Sequence, residues 1–153
     1  VPDANVGILF SGIKYYAGAS VGQLFNAQIK FGNENLGYYQ LQRCYYATAG
    51  YFIDIPNTKG MLEPTFLFKT SGENTQFELG AVYHNNKAFM AGASVRTGTS
   101  VIFRIGGYLG NYMICYAYDW GFASINKYSF GTHEIVIVYH YLNVFRQKLR
   151  NPY

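Results

Sequence analysis

The feature that most constrains this chain is an apolar/polar alternation with a period of two residues, recurring from one end to the other and punctuated by turn signals. No helical pattern of comparable length competes with it. The alternation predicts strands at about 5–12, 15–22, 44–54, 61–70, 75–84, 88–96, 100–109, 112–119 and 131–141. Short turns are expected at Ile13-Lys14, at Pro56 to Gly60, at Asn85-Asn86-Lys87 and at Gly110-Asn111. Asn and Gly tolerate the positive φ that tight hairpins need. Longer or intervening connections fall at 23–43, 71–74, 97–99 and 120–130. The expected class is therefore all-β and antiparallel.

The two faces of each strand differ in chemistry. Within 131–141, Ile135, Ile137, Tyr139 and Tyr141 oppose Glu134, Val136, Val138 and His140. Within 75–84, Phe77, Leu79, Ala81 and Tyr83 oppose Gln76, Glu78, Gly80 and His84. Val101, Phe103 and Ile105 oppose Ile102, Arg104 and Gly106, while Pro64, Phe66 and Phe68 oppose Glu63, Thr65 and Lys69. Arg96 shares its face with Gly92 and Ser94. Every mid-strand charge thus falls on one side.

Composition decides what the other side meets. Of the 153 residues only 13% are charged, against 19% aromatic, with 16 Tyr and 12 Phe. Globular domains carry about 25% charge. No run of about 18 apolar residues is present to make a membrane-crossing helix. A transmembrane β-barrel reconciles these facts, because lipid-facing and interior residues alternate and the mean hydropathy cancels. Tyr15, Tyr16, Tyr45, Tyr46, Tyr83, Tyr108, Tyr112, Tyr118, Tyr139 and Tyr141 suit aromatic girdles at the two membrane boundaries. Bacterial barrels have short periplasmic turns and longer outer loops. That rule assigns the short turns, and the C-terminus, to the periplasm. Nine strands is an odd number, and single-chain bacterial barrels have even counts. The chain also starts at Val1. The reading is the C-terminal portion of a larger barrel, residues 1–141, followed by a basic periplasmic tail, 142–153.

The candidate interior set is Glu63, Lys69, Glu78, Arg96, Arg104, Glu134 and His140. It reads as a mutually neutralising network filling a narrow barrel, or else as a selectivity lining. Arg146, Lys148 and Arg150 are candidates for docking an acidic partner or anionic head groups. His133-Glu134, with His140 seven residues on, lacks the helical spacing of a zinc protease and reads as a strand start after Gly131. Asp119 would cap a loop or pair with an Arg. Cys44 and Cys115 have no metal-ligand spacing, and read as free thiols or as a disulfide. The basic residues form no nucleic-acid patch beyond the tail. Catalytic residues, metal and cofactor are not expected.

Five stretches in order resemble one family: Arg43–Tyr51 (RCYYATAGY), Leu62–Lys69 (LEPTFLFK), Ala91–Val101 (AGASVRTGTSV), Tyr116–Trp120 (YAYDW) and Gly131–Ile135 (GTHEI). The family is the PorP/SprF membrane proteins of the type IX secretion system of Bacteroidetes. The resemblance covers about 43–141 and, more weakly, 1–22. It implies a bacterial outer-membrane component that acts in protein export or gliding motility. Periplasmic ring proteins, lipoproteins and exported adhesins are the implied partners. Two other classes compete: a passive pore or hydrophobic-solute transporter, and a soluble lipocalin-like binder.

Overall fold

A computed structural model describes residues 2–31, 37–72, 74–85, 88–122 and 131–139. The strands are β1 (Val6–Ser11), β2 (Tyr15–Gly22), β3 (Gln28–Phe31), β4 (Gly37–Gln40), β5 (Cys44–Tyr51), β6 (Ile53–Asp54), β7 (Gly60–Ser71), β8 (Asn74–Asn85), β9 (Phe89–Arg96), β10 (Ser100–Leu109), β11 (Tyr112–Gly121) and β12 (Thr132–Tyr139). The main sheet runs β1-β2-β5-β7-β8-β9-β10-β11-β12, and β6 pairs with β7. All neighbours along this path are antiparallel, so the meander has the barrel-type order expected from the sequence. Nine strands place β1 and β12 parallel to one another. They do not pair, and the sheet is not closed among the described residues.

Burial shows which way the sheet curls. A flat single sheet would expose both faces equally. Here the register puts Glu78, Val82, Met90, Ser94, Ser100, Ile102 and Cys115 on one face, and all are buried. The opposite face carries Leu79, Val95, Phe103, Ile105, Ile135 and Ile137, all exposed. The charged face is therefore the concave one and the apolar face the convex one. Every strand Asp, Glu, Lys and Arg at a described side chain of this sheet, Asp54 included, lies on the concave face, while His133 of β12 lies on the other. A contiguous exposed apolar face of this extent would aggregate in water. It suits lipid.

Aromatic residues gather at the two ends of the convex face. Tyr15, Tyr51, Tyr83, Phe89, Tyr112 and Tyr139 stand beside short turns, with the Tyr112 and Tyr139 rings in tilted contact at 5.0 Å. Tyr45, Phe68, Phe77 and Trp120 mark the other end, where Phe68 and Phe77 also approach to 5.0 Å. Ala17, Ala19, Ala47, Ala49, Ala81 and Ala93 lie between. Three of the expected girdle residues do not belong to it. Tyr16, Tyr46 and Tyr108 point to the concave face, because neighbours in a strand point opposite ways and Tyr15 and Tyr45 already take the convex side. Tyr141 lies outside the described residues.

The structure departs locally from the expected strands at two places. The single strand expected over 44–54 is broken at Phe52. The register that sets Gly50 opposite Thr65 and Ile53 opposite Leu62 puts Tyr51 opposite Pro64, which has no N–H to donate. Phe52 N–H turns instead to the carbonyl of Lys14, at 2.7 Å. The connection 23–43, expected as a loop, contains the separate hairpin β3–β4. Both cysteines are free thiols.

Gly131 fixes the start of β12. Its φ is +91°, and a Cβ there would lie 2.6 Å from the carbonyl oxygen of Asp119. We expect Gly131→Ala to cost roughly 1–3 kcal/mol, the usual scale for a forced backbone conformation. A shifted urea midpoint in lipid vesicles reads this directly, and an unchanged midpoint would contradict it.

Candidate functional site: the concave face

Two polar clusters occupy the concave face. The first spans four consecutive strands. Glu78 on β8 accepts from Ser94 Oγ at 2.7 Å, from Arg104 Nη2 at 2.5 Å and from Arg96 Nη2 at 3.1 Å. Arg104 Nη1 also donates to Ser94 Oγ at 3.0 Å, and Arg96 Nη1 donates to Asp119 Oδ2 at 2.9 Å. Two acids thus meet two guanidinium groups, with Glu78 and Ser94 buried at the centre. The alternation explains the assembly: Glu78 pairs with Arg96 across the β8–β9 ladder, and Gly80 pairs with Ser94. Gly80 and Gly92 leave room, since a Cβ on Gly80 would lie 2.5 Å from Ser94 Cβ.

The second cluster sits beside the short turns. Tyr16 Oη donates to Glu63 Oε1 at 2.9 Å, and His84 Nε2 lies 2.7 Å from Glu63 Oε2. Tyr16 reaches Glu63 by lying across β5 at Gly50, where a Cβ would meet its ring at 2.5 Å. Phe52 covers the pair, 6.2 Å from the Tyr16 ring and 6.3 Å from that of His84. Phe52 falls on the concave face by parity with Gly50, because the register is the same on both sides of the break.

The sequence-derived set separates accordingly. Glu78, Arg96 and Arg104 come together; Glu63 belongs to the other cluster. Lys69 is alone of the set near β5, its Nζ 5.7 Å from the centre of the Tyr46 ring. Glu134 shares the concave face, opposite Ala117, and is exposed. His140, Arg146, Lys148 and Arg150 lie outside the described residues. Asp119, His84, Tyr16 and Ser94 were absent from the set. Asp119 stands outside the set because the sequence ends β11 there; the strand runs to Gly121 and sets Asp119 opposite Ile102, where it pairs with Arg96, one of the two roles expected for it. Parity alone would have found His84 and Ser94. Nothing local links Tyr16 to Glu63.

Among the described residues no group of acids, His and Cys is placed to hold a metal. The arrangement neutralises charge and ties strands together. On the convex face, His133 Nδ1 lies 2.7 Å from Tyr116 Oη, at the same end as Trp120.

No curated protein and no solved structure matches the chain. The sequence profile described as type IX secretion system membrane protein PorP/SprF matches residues 1–139, nearly the whole of it. The chain belongs to the PorP/SprF family of type IX secretion system membrane proteins.

Proposed function

We propose that this sheet is part of the wall of an outer-membrane barrel in the type IX machinery, and that it docks partner proteins rather than conducting solutes. The observation that carries this reading is the concave face, where Glu78, Arg96, Arg104 and Asp119 neutralise one another across four strands. A selectivity lining would present charges of one sign to passing ions. Here the charges are spent on one another. In a bilayer, the free edges of β1 and β12 need hydrogen-bonding partners, so further strands complete the wall. Membership of a secretion family supports a role in export or gliding, with periplasmic ring proteins, lipoproteins and exported adhesins as partners. The short turns face the periplasm in this reading, and β12 delivers residues 142–153 there.

The tail carries Arg146, Lys148 and Arg150 and no acid. These residues attract an acidic protein surface. Deleting 144–153 should leave the protein in the outer membrane while reducing co-purification of type IX components. Raised salt should weaken the intact complex in the same direction. Unchanged partner recovery and export after the deletion would reject tail-mediated docking.

A further inference from the structure

The concave face is divided. From β7 to β11 it is crowded with ion-paired side chains. Over β1, β2 and β5 it is floored by small residues: Gly7, Gly18, Ser20, Gly22 and Gly50. Two adjoining cavities lie on that floor and share Gly7, Ser20 and Tyr46. One, of about 370 Å³, is walled by Asn5, Gln23 and Cys44 and opens at the end away from the short turns. The other, of about 300 Å³, lies further along the strands against Leu9, Thr48 and Leu67. Each is within the roughly 300–1,000 Å³ range of small-molecule pockets.

The trough is thus polar at one end and apolar at the other. Leu9 and Leu67 are exposed on the concave face, where Val82, Met90 and Ile102 are buried. Exposed leucines on this face leave apolar surface uncovered, which an apolar ligand would relieve. No acid lines either cavity. Lys69 stands over the Tyr46 ring that both cavities share, its Nζ 5.7 Å from the ring centre. Asp3, at the same end, is turned to the N–H groups of Ala4 and Phe25.

We propose that this trough binds a single-chain anionic amphiphile. Its hydrocarbon chain lies against Leu9 and Leu67, and its head group is directed toward Gln23 and Lys69. The site depends on the concave-face assignment and not on the secretion role, so a failed docking experiment leaves it standing.

The test uses the full chain held in an amphipathic polymer, free of detergent that would compete. Two photoreactive probes are compared, palmitate bearing a terminal diazirine and the matching long-chain alcohol, with labelled peptides mapped by mass spectrometry. Palmitate should label peptides containing Leu9, Thr48 and Leu67, and excess unlabelled palmitate should suppress that labelling. Lys69→Gln, an exposed substitution, should reduce palmitate labelling by about threefold to fivefold, the scale of an exposed charge contact, and leave the alcohol unaffected. Ser20→Leu should block both probes by filling the shared floor. Its folded state is checked independently by retention of heat-modifiable gel mobility. Labelling confined to convex-face residues such as Leu79 or Ile137 would overturn the proposal. So would labelling that excess palmitate does not suppress, or equal labelling of wild type and Lys69→Gln by palmitate.

Discussion

Replacing Ile137 by Arg should stop the protein entering bilayers, whereas Val136→Arg, one residue away, should insert almost as well as wild type. The two positions are consecutive in β12 and face opposite ways: Ile137 stands opposite Ile114 on the convex face, Val136 opposite Cys115 on the concave one. An Arg facing hydrocarbon at mid-depth costs about 2–4 kcal/mol, and one facing a polar interior costs far less. Backbone propensity and position along the strand are shared, so the comparison isolates the face. Trp120 reports the outcome. It is the single Trp of the sequence and lies half-exposed on the convex face, 5.7 Å from Phe122. Insertion should shift its emission to the blue, and Ile137→Arg should leave it at the solvent-exposed wavelength. Equal penalties at the two positions would show that the convex face does not meet lipid.

The strands themselves were legible because alternation is a strong local signal and each face has a distinct partner. β1, β2 and β7 to β12 all lie within a few residues of where the sequence places them. Gly131 was recognised as the turn before β12, and the convex and concave sets of β8, β10 and β12 read directly from residue parity. What alternation does not carry is the ladder's own chemistry. Pro64 sits in a well-patterned strand, but its missing N–H acts on the neighbouring strand, at Tyr51 and Phe52. The hairpin β3–β4 lies in a stretch whose pattern carried no such signal. Abundance of tyrosine at strand ends says nothing about direction, and Tyr16, Tyr46 and Tyr108 face the concave side.

The polar clusters were legible in part for the same reason. Glu78 and Arg96 fall on one face by parity, and so does Arg104. That they meet depends on register, which brings 78 opposite 96 and sets Ser94 beside them. The Tyr16–Glu63 contact requires more. A ring must lie flat over an intervening strand, and only the absent side chain at Gly50 permits that. Such a contact has no signature in either strand read alone.

Removing Glu78 should have the second large effect, and it distinguishes a filled interior from an open one. The carboxylate is only 7% exposed and binds Ser94 and both guanidinium groups at once. Glu78→Ala leaves Arg96 with Asp119 and Arg104 with Ser94 alone. A buried ion pair stripped of one partner typically costs about 3–5 kcal/mol, because the remaining charge stays desolvated. Replacing both members by apolar groups, as in Glu78→Leu with Arg104→Leu, removes that uncompensated charge, and part of the loss should return. Contacting residues of this kind are non-additive, so the double-mutant cycle should yield a coupling of about 0.5–3 kcal/mol. Urea unfolding of the protein folded into lipid vesicles measures all four states. In an interior filled by its own side chains, the single variant is strongly destabilised and the double variant recovers. In a water-filled channel the orphaned arginine would be hydrated, as at an exposed surface, and the single variant would lose no more than about 1 kcal/mol. That small loss, accompanied by steady ionic conductance of the wild-type protein in planar bilayers, would transfer the concave face from a docking scaffold to a pore lining.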